Sequence, residues 1–173
     1  MYFLHHFFPG IDYMPTLASD LVKYTTIMTL AQWNGPFNLA WLTRSSHVLL
    51  GYTAYHLFID HPDRRAGDVI KIMVVLLTTR ILSGASLLDP EWITKVIITI
   101  IGYIIFNWIL YDYLQLGPDS QSRLQGAIND VTKALTVQSV SMLIKGQPLN
   151  SNLMITMVGY LVYNFITSRL VSP

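Results

Sequence analysis

Cysteine is absent from the 173-residue sequence. Without thiols, the chain has no disulfides, thiolate metal sites, iron–sulfur clusters or cysteine nucleophile. Charge is also scarce, because charged residues make up 12% of the chain, about half the proportion typical of a soluble domain. The net charge is +1 and lysine and arginine form no cluster, which excludes the basic surface that nucleic acid binding requires.

Short motifs of catalysis and cofactor binding are missing as well. The sequence contains no H-E-x-x-H, no G-x-S-x-G, no P-loop and no T-V-G-Y-G selectivity filter. Metalloprotease, hydrolase, NTPase and potassium-channel functions therefore lack their required parts. We predict a protein that is not an enzyme and that needs no cofactor.

Apolar residues dominate what is present. They account for 52% of the sequence, and the mean hydropathy is +0.43. The run over residues 92–114 is long enough to cross about 30 Å of hydrocarbon as a helix. Residues 1–15 are rich in aromatics and lack the basic start of a signal peptide, which favours an interfacial N-terminal segment. We predict a single integral membrane domain over residues 1–173.

Two short patterns occur three times in the same order. The first is D-x-x-K, in "SDLVK", "GDVIK" and "NDVTK"; the second is G-Y-x-x-aromatic-His/Asn, in "GYTAYH", "GYIIFN" and "GYLVYN". Such self-similarity is typical of repeated units, and glycine- and proline-containing breaks divide each unit into two helices. The sequence predicts an all-α membrane protein of six helices, arranged as three hairpins with a pseudo-threefold repeat. The predicted units are about 16–60, 66–114 and 124–170, with helices at 16–33, 39–59, 68–82, 90–114, 124–145 and 149–170.

The charges of the first pattern have two interpretations. They belong to Asp20, Lys23, Asp68, Lys71, Asp130 and Lys133. Each aspartate follows a residue that can cap a helix, so we expect it in the first helical turn, where the helix dipole stabilises it. The lysine three residues later can pair with it on the same helix, or extend toward lipid headgroups. Alternatively, the three pairs surround a pseudo-threefold axis and form a charged ring that selects ions or relays protons.

The second pattern predicts contacts between helices. Its glycines permit close helix approach, and they are Gly51, Gly102 and Gly159. Its last position is polar, which favours hydrogen bonds between helices, and it is occupied by His56, Asn107 and Asn164. Because two of these three residues are asparagine, we do not expect a metal site there.

The arginines suggest outward contacts. Arg64, Arg65 and Arg123 lie in the predicted linkers, where we expect them to contact lipid headgroups or acidic partner surfaces. Arg80 has no charged counterpart in the other units; it can bind the last carbonyls of its helix, Asp89 or Glu91, or an anionic lipid or partner. Seven of the eleven cationic residues lie at the end where the units begin, which favours cytoplasmic termini.

The middle hairpin, with "RILSGASLLDPEWI" leading to "GYIIFN", together with "GYTAYHLFI", resembles small multi-pass membrane proteins of nucleocytoplasmic large DNA viruses. The resemblance covers mainly residues 68–107, and it implies an architectural role in a virion internal membrane, associated with the capsid. Our first hypothesis is therefore a non-enzymatic structural protein that links a bilayer to membrane or capsid proteins, with self-association left open. The alternative is a small ion channel or transporter that uses the repeated Asp–Lys pairs, which the polar side of the fifth predicted helix also favours.

Overall fold

The computed structural model describes residues 14–33, 35–117, 122–146, 148 and 151–171. Within these residues the fold is all-α, without strands, as the sequence predicts. Six helices are present: α1 (Met14–Ala31), α2 (Leu39–Phe58), α3 (Arg64–Leu82), α4 (Pro90–Ile105), α5 (Ser122–Lys145) and α6 (Ser151–Phe165). A π-helical turn (Phe106–Leu110) and a 3-10 turn (Tyr111–Leu114) extend α4, and a 3-10 turn (Thr167–Leu170) follows α6.

Local sequence explains several helix ends. The Asn38 side chain accepts a hydrogen bond from the backbone of Trp41 and caps α2, and Asp63 and Asp89 cap α3 and α4 in the same way. Side-chain oxygens at these positions satisfy backbone N–H groups that have no partner within the helix. Gly84 and Gly146 follow α3 and α5 with φ of +69° and +64°, which only glycine adopts without a steric cost.

The starts of the odd-numbered helices differ from the prediction. We expected Asp20, Asp68 and Asp130 in first helical turns. The helices begin earlier: α1 starts at Met14, α3 at Arg64 and α5 at Ser122, which is six, four and eight residues before the aspartate of the same helix. The reason is visible at α3, where Asp63 supplies the cap and the helix starts ahead of Gly67. The three aspartates therefore lie inside their helices, away from the N-terminal backbone groups.

The six helices form a closed ring. Each helix contacts its neighbours in the chain, and α6 also contacts α1. Neighbours run antiparallel: the end of α2 reaches the start of α1 at His56 and Asp20, whereas the start of α2 reaches the end of α1, where the Trp41 indole donates to the carbonyl of Met28. The starts of α1, α3 and α5 thus share one end of the bundle, which we call the charged end, and the loops within the three helix pairs share the other, which we call the loop end.

Polar groups lie inside this ring and many apolar side chains lie outside it. The buried polar residues are Asp20, Ser45, His56, Asn107, Thr136 and Asn164. Large exposed apolar residues occur on each of α2 to α6, among them Leu50, Leu77, Ile97, Leu143 and Met154. Among the described residues, one helical segment, Pro90–Leu114, is long and apolar enough to span a membrane by itself. The sequence had predicted six membrane helices.

Parts of several predictions fall outside the described residues. These are the interfacial N-terminal segment up to residue 13, position 34 of the first break, the portion 118–121 of the second linker, positions 147, 149 and 150 of the third break, and positions 172–173 at the end of the predicted domain.

Candidate functional site

Six ionisable side chains meet near the bundle axis, and we call them the ion-pair ring: Asp20, Lys23, Asp68, Lys71, Asp130 and Lys133. Each lysine Nζ contacts an aspartate oxygen on another helix: Lys71 to Asp20 at 2.7 Å, Lys133 to Asp68 at 2.6 Å, and Lys23 to Asp130 at 3.2 Å. The pairing is cyclic, from α3 to α1, from α5 to α3 and from α1 to α5. Side-chain exposures of 11–20% place these charges largely out of solvent.

The observed partners differ from those we expected. The sequence suggested an aspartate and lysine three residues apart on one helix, or a lysine extended toward headgroups. In the structure each long lysine side chain crosses instead to the preceding odd-numbered helix of the ring. The cause is burial, because a charge removed from water is stabilised only by a close opposite charge and further hydrogen bonds.

Each lysine of the ring also lies near an aromatic ring. Lys71, Lys133 and Lys23 are 5.3, 5.2 and 5.1 Å from the ring centres of Tyr55, Phe106 and Tyr163, respectively. These three residues occupy the aromatic position of the repeated G-Y-x-x-aromatic pattern. Each of them lies in the helix pair that also supplies the aspartate bound to its lysine. The aromatic faces add attraction for the ammonium groups.

The polar position of the second pattern supports the aspartates. The His56 ring contacts Asp20 at 2.7 Å, and Asn164 donates to Asp130 at 2.9 Å. Asn107 hydrogen bonds to Asp68 and accepts from Arg64 at 2.8 Å. Each of the three residues thus bridges the two helices of its own pair. Among the described residues, no group of histidine and carboxylate side chains is arranged to hold a metal ion.

The repeated glycines lie at the junctions between helix pairs. A Cβ added to Gly51 or Gly102 would lie 2.8 or 2.7 Å from the Cα of Val75 or Val137, respectively. At Gly159 the corresponding distance to the Cα of Ile27 is 3.1 Å. Such backbone contact requires a residue without a side chain. It brings α2 against α3, α4 against α5, and α6 against α1, which sets the diameter of the ring.

A small polar cavity, which we call the central cavity, lies within the ion-pair ring. Its volume is about 50 Å³, and its other lining residues are Tyr24, Tyr52, Ile72, Tyr103 and Tyr160. Tyr52, Tyr103 and Tyr160 are the tyrosines that follow the repeated glycines. We had not predicted them as site residues, although their threefold occurrence was a signal that could have identified them.

A larger cavity of about 280 Å³, which we call the side pocket, adjoins the central cavity between α4, α5 and α6. The two cavities share Ile72, Tyr103, Lys133 and Tyr160. From Tyr160 the side pocket follows α6 back to Asn152, an axial distance of about 12 Å toward the loop end. It is lined further by Thr99, Ala134, Val137, Gln138, Leu153 and Thr156.

Two of the three nominated arginines, Arg64 and Arg65, bind partners within the chain. Arg64 and Arg65 are in the first turn of α3 rather than in a linker, and Arg65 binds Asp112 with two hydrogen bonds of 2.8 and 2.9 Å. Arg64 lies over the ring of Tyr111 besides binding Asn107. Arg123 lies in the first turn of α5 and is half-buried.

Arg80 binds Asp89 at 2.8 Å and donates to the backbone carbonyl of Ser86, so it joins the end of α3 to the start of α4. This is one of the partners that the sequence suggested for it. Glu91, the other candidate acidic partner, is exposed.

No protein-family model matches this sequence, and no curated protein or solved structure is similar to it. The functional argument therefore rests on the geometry of the ring and its two cavities.

Proposed function

We propose that the bundle is embedded in a membrane as a whole and is built from three equivalent helix pairs. The supporting observation for the membrane is the distribution of polarity, with ion pairs and amides inside and large apolar side chains exposed on the five helices α2 to α6. A soluble monomer rarely exposes so much apolar surface. Helices too short to span alone are tolerated where neighbouring helices shield them or the bilayer thins.

The case for equivalent pairs rests on four matched contacts. At each junction a lysine meets the preceding aspartate, the same lysine lies near the preceding aromatic ring, and a glycine contacts the following helix. Within each pair a histidine or asparagine binds the aspartate. Four side-chain roles that recur in the same cyclic order are expected of a repeated unit.

We propose further that the protein moves a small polar solute or ion across the membrane. The observation that carries this proposal is a continuous space made of two cavities. The side pocket extends from Asn152 near the loop end to the polar central cavity, where the ion-pair ring closes the path toward the charged end. A purely architectural protein would gain more from an apolar, fully packed axis, because buried ion pairs often contribute little net stability. In this proposal the ring acts as the gate.

A structural role in a viral membrane is the alternative to transport, and it takes its support from the resemblance of the middle hairpin. This alternative predicts that Arg64 and Arg65 contact lipid or a partner protein. Both residues already bind side chains within the chain, which makes these contacts less favourable. Burial of the ring lysines also changes the charge balance between the two ends. With Lys23, Lys71 and Lys133 inside the bundle, four of the seven cations remain exposed to the surroundings at the charged end, against four at the loop end. The charges therefore no longer favour either orientation of the termini.

The test is uptake of labelled potassium, chloride, urea and pyruvate into liposomes that contain the purified full chain. We expect uptake of at least one solute above that of protein-free liposomes. The double variant Asp68→Asn/Lys133→Met removes one ion pair of the gate without leaving an unpaired charge, so it should raise that uptake several-fold. Lys95→Met, which removes an exposed lysine outside the ring, is the matched control and should behave like the natural chain.

Uptake equal to that of protein-free liposomes, in both the natural chain and the double variant, would refute transport and favour the architectural alternative. Proper insertion is checked in the same samples by protease protection and by the circular dichroism of the reconstituted protein.

A further inference from the structure

The side pocket differs from the space beside the other two helix pairs. The residue that follows the ring lysine is Tyr24 in α1 and Ile72 in α3, and both line the central cavity. In α5 this residue is Ala134, which lines the side pocket. The small side chain at this position leaves room on the third pair that a tyrosine or an isoleucine would fill. The sequence therefore accounts for this space, because the residue after the ring lysine is small in only one of the three helices.

The pocket also presents unused hydrogen-bond donors. Within the described part of the chain, the side-chain amides of Gln138 and Asn152 make no hydrogen bond to protein. Both line the pocket, Gln138 at intermediate depth and Asn152 at the exposed end. Half-buried amides such as that of Gln138 normally have partners. A free amide at this depth, with a second one at the exposed end of the same cavity, is suited to a ligand.

The charge of the lining indicates the sign of that ligand. Lys133 is the one charged residue that lines the pocket, and no carboxylate lines it among the described residues. The Asp68 carboxylate that binds Lys133 borders the central cavity instead. A negatively charged group that enters the pocket would meet amide N–H donors and a cation, and it would compete for that cation with the Asp68 carboxylate, which lies 2.6 Å from Lys133 Nζ.

We propose that the side pocket binds a small carboxylate, with Gln138 and Asn152 as hydrogen-bond donors and Lys133 as the cation. A volume of about 280 Å³ lies at the lower limit of ligand pockets and fits a molecule of a few heavy atoms. The inference rests on the proposed transport function in one respect: because Lys133 also closes the ring, a carboxylate that draws it away from Asp68 would weaken the gate. Binding would then be coupled to opening, as a ligand that favours one of two states shifts their populations.

Binding is tested on the purified full chain in detergent, without any flux measurement. The probe is pyruvate, and its uncharged amide, pyruvamide, is the isosteric control. Pyruvate, titrated at constant ionic strength with sodium chloride, should raise the thermal unfolding temperature in a saturable manner, and pyruvamide should not. An equal effect of the two compounds would overturn the assignment of a carboxylate.

Two variants locate the site. Ala134→Ile restores at α5 the residue that α3 carries and should abolish the pyruvate effect, whereas Ala40→Ile, the same change at an exposed position of α2, should leave it intact. Gln138→Leu removes one donor and should weaken binding about tenfold, since one hydrogen bond to a charged group contributes at this level. It also serves if Ala134→Ile fails to fold, which the unliganded unfolding curve shows.

Undiminished binding in both Ala134→Ile and Gln138→Leu would overturn the inference, even if the protein transports solutes. Pyruvate binding that is lost in these variants would sustain the site, even if liposomes show no uptake and the transport proposal fails.

Discussion

The ion-pair ring makes a quantitative prediction about stability at the contact between Lys133 and Asp68. Replacing Lys133 by methionine keeps most of the length of the side chain, and it removes the charge together with the attraction between the ammonium group and the ring of Phe106. The Asp68 carboxylate then loses its nearest partner, which lies at 2.6 Å, while it stays 17% exposed. The variant thus measures how much stability is lost when the largely buried Asp68 carboxylate has no lysine partner.

The expected size follows from the geometry. At 2.6 Å and an effective dielectric constant of about 20, the attraction between the two charges is about 6 kcal/mol. Asp68 keeps a hydrogen bond to Asn107 and has Arg64 at 3.9 Å, and its partial exposure lets water assist, so only part of that attraction is lost. We expect Lys133→Met to lower the free energy of unfolding by about 2–4 kcal/mol, near the range for breaking a buried pair.

A double variant distinguishes the stability contributed by the ion pair from that contributed by Asp68 and Lys133 individually. Asp68→Asn/Lys133→Met removes both charges, and asparagine can still hydrogen bond with Asn107, so most of the loss should be recovered. A double-mutant cycle with Asp68→Asn measures the coupling between the two positions. We expect a coupling of about 2–3 kcal/mol, because each single variant leaves one ionised group without its partner.

The assay is reversible denaturant unfolding in mild detergent micelles, followed by tryptophan fluorescence and circular dichroism. Lys95→Met is the control, because Lys95 is exposed and outside the ring; it should change stability by less than about 0.5 kcal/mol. If Lys133→Met were no more destabilising than this control, the pair would not be closed in the protein and the argument for a gate would fail.

Two further predictions concern the second repeated pattern. Gly102→Ala places a Cβ 2.7 Å from the Cα of Val137 and should lower the free energy of unfolding by about 1–3 kcal/mol, whereas Gly117→Ala, with nothing within 4 Å, should change it little; equal effects on the unfolding curves would contradict close packing at this junction. His56→Asn should cost less than about 1 kcal/mol because an asparagine fills the same role in the other two pairs, whereas His56→Ala leaves Asp20 without this hydrogen bond and should cost about 1–3 kcal/mol. The same unfolding assay checks this difference, and an asparagine variant as unstable as the alanine variant would show that the three positions are not equivalent.

Helix positions were largely predictable from sequence. Breaks that contain glycine or proline end the apolar segments, and this local chemistry fixed six helices. Their bounds lie within two residues of the predicted ones, except that α4 and α6 reach their predicted ends only through the π-helical and 3-10 turns that follow them, and that α3 starts early. That helix starts four residues early because Asp63, which we had assigned to a linker, caps it. A side-chain cap of this kind can be recognised in the sequence but competes there with neighbouring candidates such as Gly67.

The members of the candidate site were also found from sequence, whereas their partners were not. Repetition marked the ring residues, the glycines and the polar positions of the second pattern. Spacing along one helix suggested that Lys71 would pair with Asp68, yet Lys71 binds Asp20. The side pocket escaped notice because Ala134, Gln138 and Asn152 belong to no repeated pattern.

The sequence by itself determined that six helices would form and that α1, α3 and α5 would each carry an aspartate and a lysine three residues apart. Only the tertiary structure decided which charges meet, because that depends on closure of the ring between α6 and α1 and on the close glycine contacts that set its diameter. Local spacing governs contacts within a helix, where residues three apart share a face. Contacts across the axis depend on the relative positions of whole helices, which are settled when burial of each charge has to be balanced by an opposite charge from another helix.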